Sequence, residues 1–426
     1  MSKHTALPLN SDVLGFAEII SPRGIEIESS DEIQQNLFQT EKMRRLSTPW
    51  SVCLTRAEIL SDCKVGKGII VDPACGSGSQ LFAYCKELNR PGLGIELDAD
   101  SAVLSAANGY LISQTLDSDW ANNSLVLVGD GNASVSALKE MELTGRSVAV
   151  LHVDPARPQD AQKHALNEMQ PSINELLDNW ADNLVIGSQG PAIIIDLSPR
   201  LLPEQQTEVE QILLQHWPKS PMTWEWVSTG RGRIDRLTIW FGSAAVIGFP
   251  ARMLRLLPDS SVVSIAGTPV IAEKNTVQIP KEGDWLTIVD SALLSSGLQR
   301  QWIREALPPE ASYSWVRVSG RRPMLLSSMP LMIDKSVVRA FISSTGEVMS
   351  RLKVEPTIEN ISPIIVSCNY AYLSRLTLRC KINPSIQPQL QSKLDVGLKE
   401  HSRGKDGFLV DVETSNEIAW FICREP

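Results

Sequence analysis

The sequence predicts an α/β fold in which helices cover a largely parallel β-sheet. From residue 68 to residue 243, short apolar runs alternate with longer amphipathic runs, the pattern of strands alternating with helices. Four of the first five apolar runs end in an acidic residue. Ligands bind beyond the carboxyl ends of the strands in such sheets, so these acids predict a site for a ligand rich in hydroxyl and amino donors.

Seven segments are predicted to form the strands, each a short apolar run bounded by turn residues. They are residues 68–74, 92–98, 124–130, 147–154, 192–198, 223–228 and 236–242. Only the short link TGRGRI separates the last two, which predicts an antiparallel pair that closes one edge. The intervening helices are predicted at residues 78–89, 99–114, 132–141, 169–183 and 203–217.

We expect four regions along the chain. Residues 1–65 are predicted to be mainly helical, and residues 66–248 form the sheet domain. Residues 249–345 have the mixed β-like and helical pattern of a connecting region. Residues 346–426 predict a strand, a helix and two strands, which is typical of a small separate α/β domain.

The composition excludes several classes of protein. Of 426 residues, 43% are hydrophobic and 21% are charged, as in folded globular chains. The amino terminus lacks the basic flank and apolar core of a secretory signal, and no apolar stretch reaches the ~20 residues that span a bilayer. We therefore expect a cytoplasmic protein. The seven cysteines form no C-x-x-C pair and no Cys/His cluster, so neither a disulfide framework nor a metal site is expected.

Charge is distributed unevenly along the chain. The net charge is −9, yet residues 315–426 hold 15 Lys and Arg against 11 Asp and Glu, a surplus of 15 − 11 = 4. The carboxyl-terminal quarter is therefore the basic part. This surplus fits a mixed solvated surface about as well as a face for nucleic acid.

The segment VDPACGSGS, residues 71–79, joins the first predicted strand to the first helix of the sheet. Gly76 and Gly78 allow a ligand to approach the backbone closely, although such a glycine turn can also be purely structural. The segment has neither the P-loop lysine nor a complete G-x-G-x-x-G. Asp72 begins the loop, and an acid there repels pyrophosphate but suits a cationic amine.

Acids also end the next two strands. Glu96 is placed to accept hydrogen bonds from the vicinal hydroxyls of a ribose, whereas Asp98 and Asp100 fit a solvated or helix-capping role better. Asp130 is placed either to accept a hydrogen bond from an exocyclic adenine amine or to cap the helix that follows.

The combination resembles a class I S-adenosylmethionine-dependent methyltransferase. DPACGSG (72–78) is similar to the first motif of that family, and DPAR (154–157) occupies the fourth-strand position of its substrate-facing residues. The resemblance implies a Rossmann-like seven-stranded methyltransferase sheet and S-adenosylmethionine as cofactor. It implies that Asp72 faces the methionine amine and that the cofactor is bound by Asp72, Ala74, Gly76, Gly78, Glu96, Asp130 and Asp154.

A narrower similarity concerns the rest of the chain. IDLSPRL (195–201), the closing hairpin and the small α/β end look like a group of methyltransferases with a THUMP-like carboxyl-terminal domain. Because THUMP domains bind RNA, the resemblance implies an RNA substrate, tRNA or rRNA, that contacts this domain. Because no apolar stretch could span a bilayer, no membrane partner is expected, and the oligomeric state stays open.

The acceptor end of the predicted site departs from one family pattern. Methyltransferases of exocyclic base amines carry a second proline and an aromatic residue where this chain has Ala156 and Arg157. Asp154 and Arg157 are the predicted catalytic residues, and Pro155, Arg157 and Arg200 are predicted to contact substrate. Arg157 could hold a phosphate, stack on a base, or form a structural ion pair with Asp154 or Asp196, and Arg200 has the same alternatives.

One motif is predicted to be incidental. VSCNYAYLSRL (366–376) is similar to the segment bearing the nucleophilic cysteine of uracil-C5 methyltransferases, but it lies outside the predicted sheet and Tyr370 replaces a proline. We expect Cys368 to be a buried structural cysteine.

The sequence is compatible with three functions. The first is in-line methyl transfer to an RNA nucleotide in a pocket at the carboxyl ends of strands one to five. The second is methylation of a protein or a small molecule. The third is a catalytically silent scaffold, which the acids Asp72, Glu96 and Asp130 count against.

Overall fold

The structure is a computed structural model that describes residues 4–21, 37–114, 119–155, 166–230, 232–270, 278–399, 404–414 and 417–426. The chain divides into two compact units. The first comprises Met1–Val227 and Asp235–Val262, and the second comprises Ser228–Ile234 and Val263–Pro426.

The first unit contains most of a large mixed sheet, which has ten strands among the described residues. They are β1 (Thr5–Pro8), β2 (Ile69–Asp72), β3 (Gly92–Glu96), β4 (Leu125–Val128), β5 (Val148–Val153), β6 (Ala192–Leu197), β7 (Met222–Ser228), β8 (Arg236–Gly242), β9 (Ala251–Leu256) and β10 (Val262–Gly267), the last of which begins where the first unit ends. Their order across the sheet is β1-β4-β3-β2-β5-β6-β8-β7-β9-β10.

The central strands are parallel and buried on both faces. β4, β3, β2, β5 and β6 pair in parallel, and every residue of β2, β5 and β6 is buried. Runs rich in Val and Ile suit such strands, because branched side chains pack on both faces of the pleat. The strand order reverses between β2 and β5, and a crevice forms beyond the carboxyl ends of strands at such a point.

Helices connect these strands. In chain order they are α1 (Asp12–Ile20), α2 (Glu41–Leu46), α3 (Trp50–Ser61), α4 (Ser79–Leu88), α5 (Ala99–Ser113), α6 (Ser134–Glu140), α7 (Ile173–Trp180) and α8 (Pro203–His216). Asp98 caps α5 by accepting the N–H of Ser101 over 2.8 Å, the capping role predicted for it. Throughout the described ranges, no helix has the length and apolar composition needed to cross a membrane.

The α/β class is confirmed, and each of the seven predicted strand segments contains a strand. β7 and β8 form the predicted antiparallel pair. The sheet is larger than the predicted seven strands, because β1, β9 and β10 extend it to ten. The first of these lies in the region predicted to be mainly helical. With four residues it is too short to show a strand period in the sequence, and it forms by antiparallel pairing with β4.

The second unit has its own sheet. Its strands are β11 (Trp285–Val289), β12 (Tyr313–Arg317), β13 (Met324–Ser327), β14 (Ile342–Leu352), β15 (Leu373–Leu378), β16 (Lys405–Glu413) and β17 (Ile418–Arg424). The order is β12-β13-β11-β14-β17-β16-β15, and only β15 and β16 pair in parallel. Its helices are α9 (Ser291–Ser295), α10 (Gln299–Ala306), α11 (Ser336–Arg339), α12 (Ile361–Tyr370) and α13 (Gln387–Leu398).

The last four elements follow the predicted order of strand, helix, strand and strand. Helices α12 and α13 bury apolar residues against β15, among them Ile364, Leu390 and Leu394. This one sheet combines two regions that were predicted separately. β11 lies in the predicted region 249–345 and β17 in the predicted region 346–426, and β14 pairs with both.

Candidate active site

The loop after β2 turns through two glycines with left-handed backbones. Gly76 has a φ of +52° and Gly78 a φ of +73°, a region that costs a residue with a Cβ roughly 1–2 kcal/mol. A Cβ at Gly78 would overlap the ring of Phe82, so packing requires this glycine. A Cβ at Gly76 would meet nothing within 4 Å. The backbone at Gly76 therefore faces open space that a ligand can enter.

Glu96, the last residue of β3, is tied to this loop. Its Oε2 accepts the backbone N–H of Gly76 over 3.0 Å, and its Oε1 accepts that of Asp98 over 3.1 Å. Burial raises the pKa of Glu96 above its ordinary value. Each carboxylate oxygen can accept a second hydrogen bond, so Glu96 can also hold two donors of a ligand, such as vicinal hydroxyls.

Asp130 follows β4 and has an exposed side chain. Its Oδ1 accepts the backbone N–H of Asn132 over 2.9 Å and so shapes the turn, while α6 begins only at Ser134. His4 lies against the same turn, with Nε2 3.2 Å from the carbonyl oxygen of Asp130. No sequence pattern pointed to His4, because only the pairing of β1 with β4 places it there.

Leu97, directly after Glu96, exposes 78% of its surface. An exposed leucine is unremarkable by itself. At this edge of the sheet, however, it adds apolar surface next to a carboxylate that faces the ligand space. The residue was predicted as part of a strand, and β3 ends one residue before it.

A row of alternating buried charges begins at Asp72. Among the described residues of the first unit, three carboxylates and three cations follow one another, each bonded to the next and none more than 4% exposed. This charge row consists, in order, of Asp72, His152, Asp196, Arg56, Glu225 and Arg252.

His152 lies between two carboxylates in the charge row. Its Nδ1 is 2.7 Å from Oδ2 of Asp72, and its Nε2 is 3.3 Å from Oδ2 of Asp196. Burial lowers the pKa of His152, but the two carboxylates outweigh burial and raise this pKa to about 10. The ring of Tyr84 packs edge-on, 5.5 Å away between centroids. His152 is therefore a cation at neutral pH.

The rest of the charge row is held by two arginines. Nη2 of Arg56 is 3.2 Å from Oδ1 of Asp196, and its Nε is 2.6 Å from Oε1 of Glu225. Burial raises the pKa of Asp196, but Arg56 and the neighbouring histidine prevail and hold it well below its usual range. Nε of Arg252 is 2.8 Å from Oε2 of Glu225, and its guanidinium lies 4.6 Å from the ring centroid of Trp240.

Tertiary pairing assembles the charge row. Thr238 of β8 belongs with the charge row, because its hydroxyl hydrogen-bonds both Asp196 and Arg56. With Thr238 counted, one residue comes from each of six neighbouring strands, in the order β2, β5, β6, β8, β7 and β9. Arg56 comes from α3, in the region before the sheet. Glu225 was not singled out from the sequence. Asp196 and Glu225 are each the one charged residue of their strand, which is the sequence signal that could have indicated buried partners.

Asp72 is enclosed by protein. It is 2% exposed, and its Oδ1 accepts the backbone N–H of Ala74 over 3.0 Å while its Oδ2 faces His152. The residue predicted to meet the ligand amine therefore connects the charge row to the first turn of the loop. Of the predicted cofactor-binding residues, Gly76 and Glu96 are joined by a hydrogen bond, as are Asp72 and Ala74.

The predicted substrate-facing residues are described in part. Asp154 is half-buried and Pro155 is buried, directly after β5. Arg157 lies outside the described residues, so its alternative roles remain predictions. Arg200 is exposed after β6, and its backbone N–H donates to Ser198 Oγ over 3.2 Å.

Cys368 is buried in α12 within the core of the second unit. Burial raises the pKa of its thiol to about 12, so the thiol is protonated at neutral pH. A protonated, enclosed thiol is a poor nucleophile, in accord with the structural role predicted for this cysteine.

No protein-family model and no curated protein matches this chain. Among solved structures, it is similar to a candidate class I S-adenosylmethionine-dependent methyltransferase from Listeria monocytogenes, with 14% identity, a TM-score of 0.31, and coverage of 52% of this chain and 64% of that one.

Two further solved structures are similar over about half of this chain. Precorrin-6y C5,15-methyltransferase from Geobacter metallireducens has 13% identity and a TM-score of 0.31, over 48% of this chain and 91% of that one. A candidate RNA methyltransferase from Pyrococcus horikoshii has 16% identity and a TM-score of 0.29, over 55% of this chain and 98% of that one. Because all three TM-scores are below 0.5, the function must be argued from this chain's own geometry.

Proposed function

We propose that this protein is an S-adenosylmethionine-dependent methyltransferase whose active site lies at the carboxyl ends of β2, β3, β4 and β5, and that its substrate is RNA. The observation that carries the proposal is the open, left-handed backbone of Gly76, bonded to the Glu96 carboxylate where the strand order reverses. This glycine lets a ligand approach the backbone, and the carboxylate beside it accepts hydroxyl donors.

The groups at this edge fit the cofactor. Glu96 would accept the ribose hydroxyls, Asp130 the adenine amino group, and the exposed Leu97 would contact the purine. The backbone of residues 73–78 would line the methionine part. Residues 71–79 carry no lysine or arginine, which suits a nucleoside without pyrophosphate. When bound, S-adenosylmethionine supplies an electrophilic methyl group on a sulfonium.

Asp72 supports this site from within the protein. Both of its carboxylate oxygens are bonded to the chain itself, and its exposure is 2%. We therefore assign it the shaping of the loop, in place of the direct contact with the methionine amine that the family resemblance implied.

The end of β5 would hold the methyl acceptor. Methyl transfer needs an acceptor aligned with the methyl group and, where the acceptor carries a proton, a base that removes it. Asp154 is the candidate base, because it is half-buried directly after β5. Pro155, Arg157 and Arg200 are the candidate substrate contacts, and an arginine can hold a phosphate or stack on a base.

The carboxyl-terminal region supports the choice of RNA. Residues 346–426 resemble a THUMP-like domain, and residues 315–426 carry the basic surplus of the chain. Binding driven by phosphate contacts would weaken steeply with added salt. Binding of a small molecule in a closed pocket would depend on salt much less steeply, because no condensed counterions are released.

The test is incubation of the purified full chain with labelled S-adenosylmethionine and fractionated cellular RNA, followed by mass spectrometry of nucleosides. We expect label in one type of RNA nucleoside. Transfer to protein or metabolites with none to RNA would overturn the RNA substrate and favour the alternative methyltransferases. Absence of cofactor binding in calorimetry would overturn the methyltransferase proposal and leave a scaffold.

A further inference from the structure

The charge row ends at the loop proposed to hold the cofactor. Asp72 is both the last residue of β2 and the first residue of that loop. Through Oδ2 it contacts His152, and through Oδ1 it accepts the N–H of Ala74. One buried carboxylate therefore joins a buried cation to the backbone of the loop.

The geometry around His152 calls for both ring protons. A neutral imidazole donates from one nitrogen only, whereas both nitrogens here face carboxylate oxygens, of Asp72 on β2 and Asp196 on β6. If one ring nitrogen lacked its proton, its lone pair would face a lone pair of the carboxylate oxygen beside it, in a site where water has no access. Tyr84 of α4, also a titratable side chain, packs edge-on against the ring.

The loop continues from Asp72 to the ligand space in a few residues. The N–H of Cys75 donates to the carbonyl of Ile95 over 3.0 Å, and the N–H of Gly76 donates to Glu96. The loop is thus attached to β3 at two backbone positions and to the charge row through Asp72. Asp72 holds the start of the loop at Ala74, two residues before the Gly76 N–H that bonds Glu96.

We propose that His152 is a positioning residue for the cofactor loop. Clamped between Asp72 and Asp196, it fixes the Asp72 carboxylate, and that carboxylate sets the path of residues 73–76. His152 is 1% exposed, so it acts through Asp72 and does not contact the cofactor. The inference rests on the proposed function, because it concerns the same site.

The test compares His152→Gln with the unchanged full chain. Glutamine keeps a side-chain donor but lacks the charge. We expect it to weaken the binding of S-adenosylhomocysteine about tenfold or more in calorimetry, because the Asp72 carboxylate that holds the loop would lose a charge-assisted hydrogen bond. We also expect faster hydrogen exchange in a peptide spanning residues 73–79, measured without ligand.

Arg252→Met is the matched control. Arg252 is the opposite end of the same charge row, equally buried, and its removal also leaves a carboxylate with one cation fewer. It should lower the Tm about as much as His152→Gln while leaving affinity for the nucleoside within about twofold and exchange in residues 73–79 unchanged. Equal losses of affinity in both variants would show a general structural role and overturn the proposal.

A second measurement needs no variant. The affinity of the unchanged chain for 5′-methylthioadenosine, which has no amino acid part to titrate, should fall as the pH approaches about 10, where His152 loses its proton. Burial raises the pKa of Tyr84 well above its ordinary value, so the tyrosine stays protonated in that range. An affinity that stays constant until the protein unfolds would overturn the proposal.

Failure of the inference is distinguishable from failure of the proposed function. If the unchanged chain binds neither S-adenosylhomocysteine nor 5′-methylthioadenosine, the proposed cofactor site is wrong. If the unchanged chain binds them and His152→Gln binds them equally well, the site stands and the positioning role is wrong.

Discussion

The backbone N–H of Gly76 donates to Oε2 of Glu96 over 3.0 Å. This bond joins the loop after β2 to the end of β3 and holds an open, left-handed backbone next to a half-buried carboxylate. The arrangement presents close backbone approach and paired acceptor oxygens to the same ligand. Glu96 and Gly76 are therefore the most direct positions at which to test the proposed cofactor site.

Glu96→Gln should weaken cofactor binding about tenfold to a hundredfold, because the amide removes the charge and turns an N–H group toward a backbone donor. Calorimetric titration with S-adenosylhomocysteine measures the loss. The control is Asp98→Ala, which removes the cap of α5 and should cost about 1 kcal/mol of stability while affinity stays within about twofold. Equal affinity in Glu96→Gln and the unchanged chain would contradict the ribose-binding role.

The two loop glycines should respond differently to alanine. Gly76→Ala should cost roughly 1–2 kcal/mol from its left-handed backbone and abolish most cofactor binding, because its Cβ would occupy the open ligand space. Gly78→Ala should cost roughly 2–4 kcal/mol, because strain adds to the overlap with Phe82. Urea unfolding and calorimetry separate the two effects. A Gly76→Ala protein that binds normally would place the cofactor elsewhere.

The stability of the first unit should fall in alkaline solution because of His152. The folded pKa of about 10 exceeds the ordinary value of 6.5, so the stabilising contribution is complete below about pH 6.5 and is lost as the pH rises through about 10. The slope contributed by one proton reaches at most about 1.4 kcal/mol per pH unit.

This pH dependence is measured by urea unfolding of the unchanged chain and of His152→Gln across that range. The difference between the two curves isolates the histidine from groups that titrate in both proteins. We expect the difference in free energy of unfolding to shrink as the pH rises. Parallel curves would mean that His152 is neutral in the folded protein.

Arg56→Met should destabilise the protein by about 3–5 kcal/mol, because Asp196 and Glu225 would each lose a buried cation. The control is Arg44→Met in α2, whose exposed side chain predicts a negligible change. Thermal and urea unfolding measure both variants. Similar stability of the two would show that water or neighbouring groups replace Arg56.

Much of the sheet was predictable because its signals are local. Val and Ile runs ending in an acid, such as Ile69–Asp72, identify buried strands, and glycines after a strand identify a turn. β1 was not predictable, because its four residues become a strand only by pairing with β4. β9 and β10, which lie in the region predicted to connect the two domains, also join the sheet, so it has ten strands among the described residues where the sequence indicated seven.

The candidate site was predictable in its types of residue and less so in their contacts. Gly76, Glu96 and Asp130 lie at neighbouring strand ends, as the spacing of acids and glycines indicated. Asp72 was expected at the ligand, and one of its carboxylate oxygens contacts a histidine 80 residues away. That contact forms because β2 and β5 are neighbours in the sheet, and the hydrophobic pattern of each strand does not predict which strands are neighbours.

The sequence by itself determined the α/β class, the loop glycines and the acids that end the strands, because hydrophobic period and turn chemistry act over a few neighbouring residues. Tertiary structure decided the charge row. Arg56 and Glu225 are 169 positions apart, and buried charges persist only where folding brings opposite charges into contact. Their partners follow from strand order, which depends on the packing of the whole sheet.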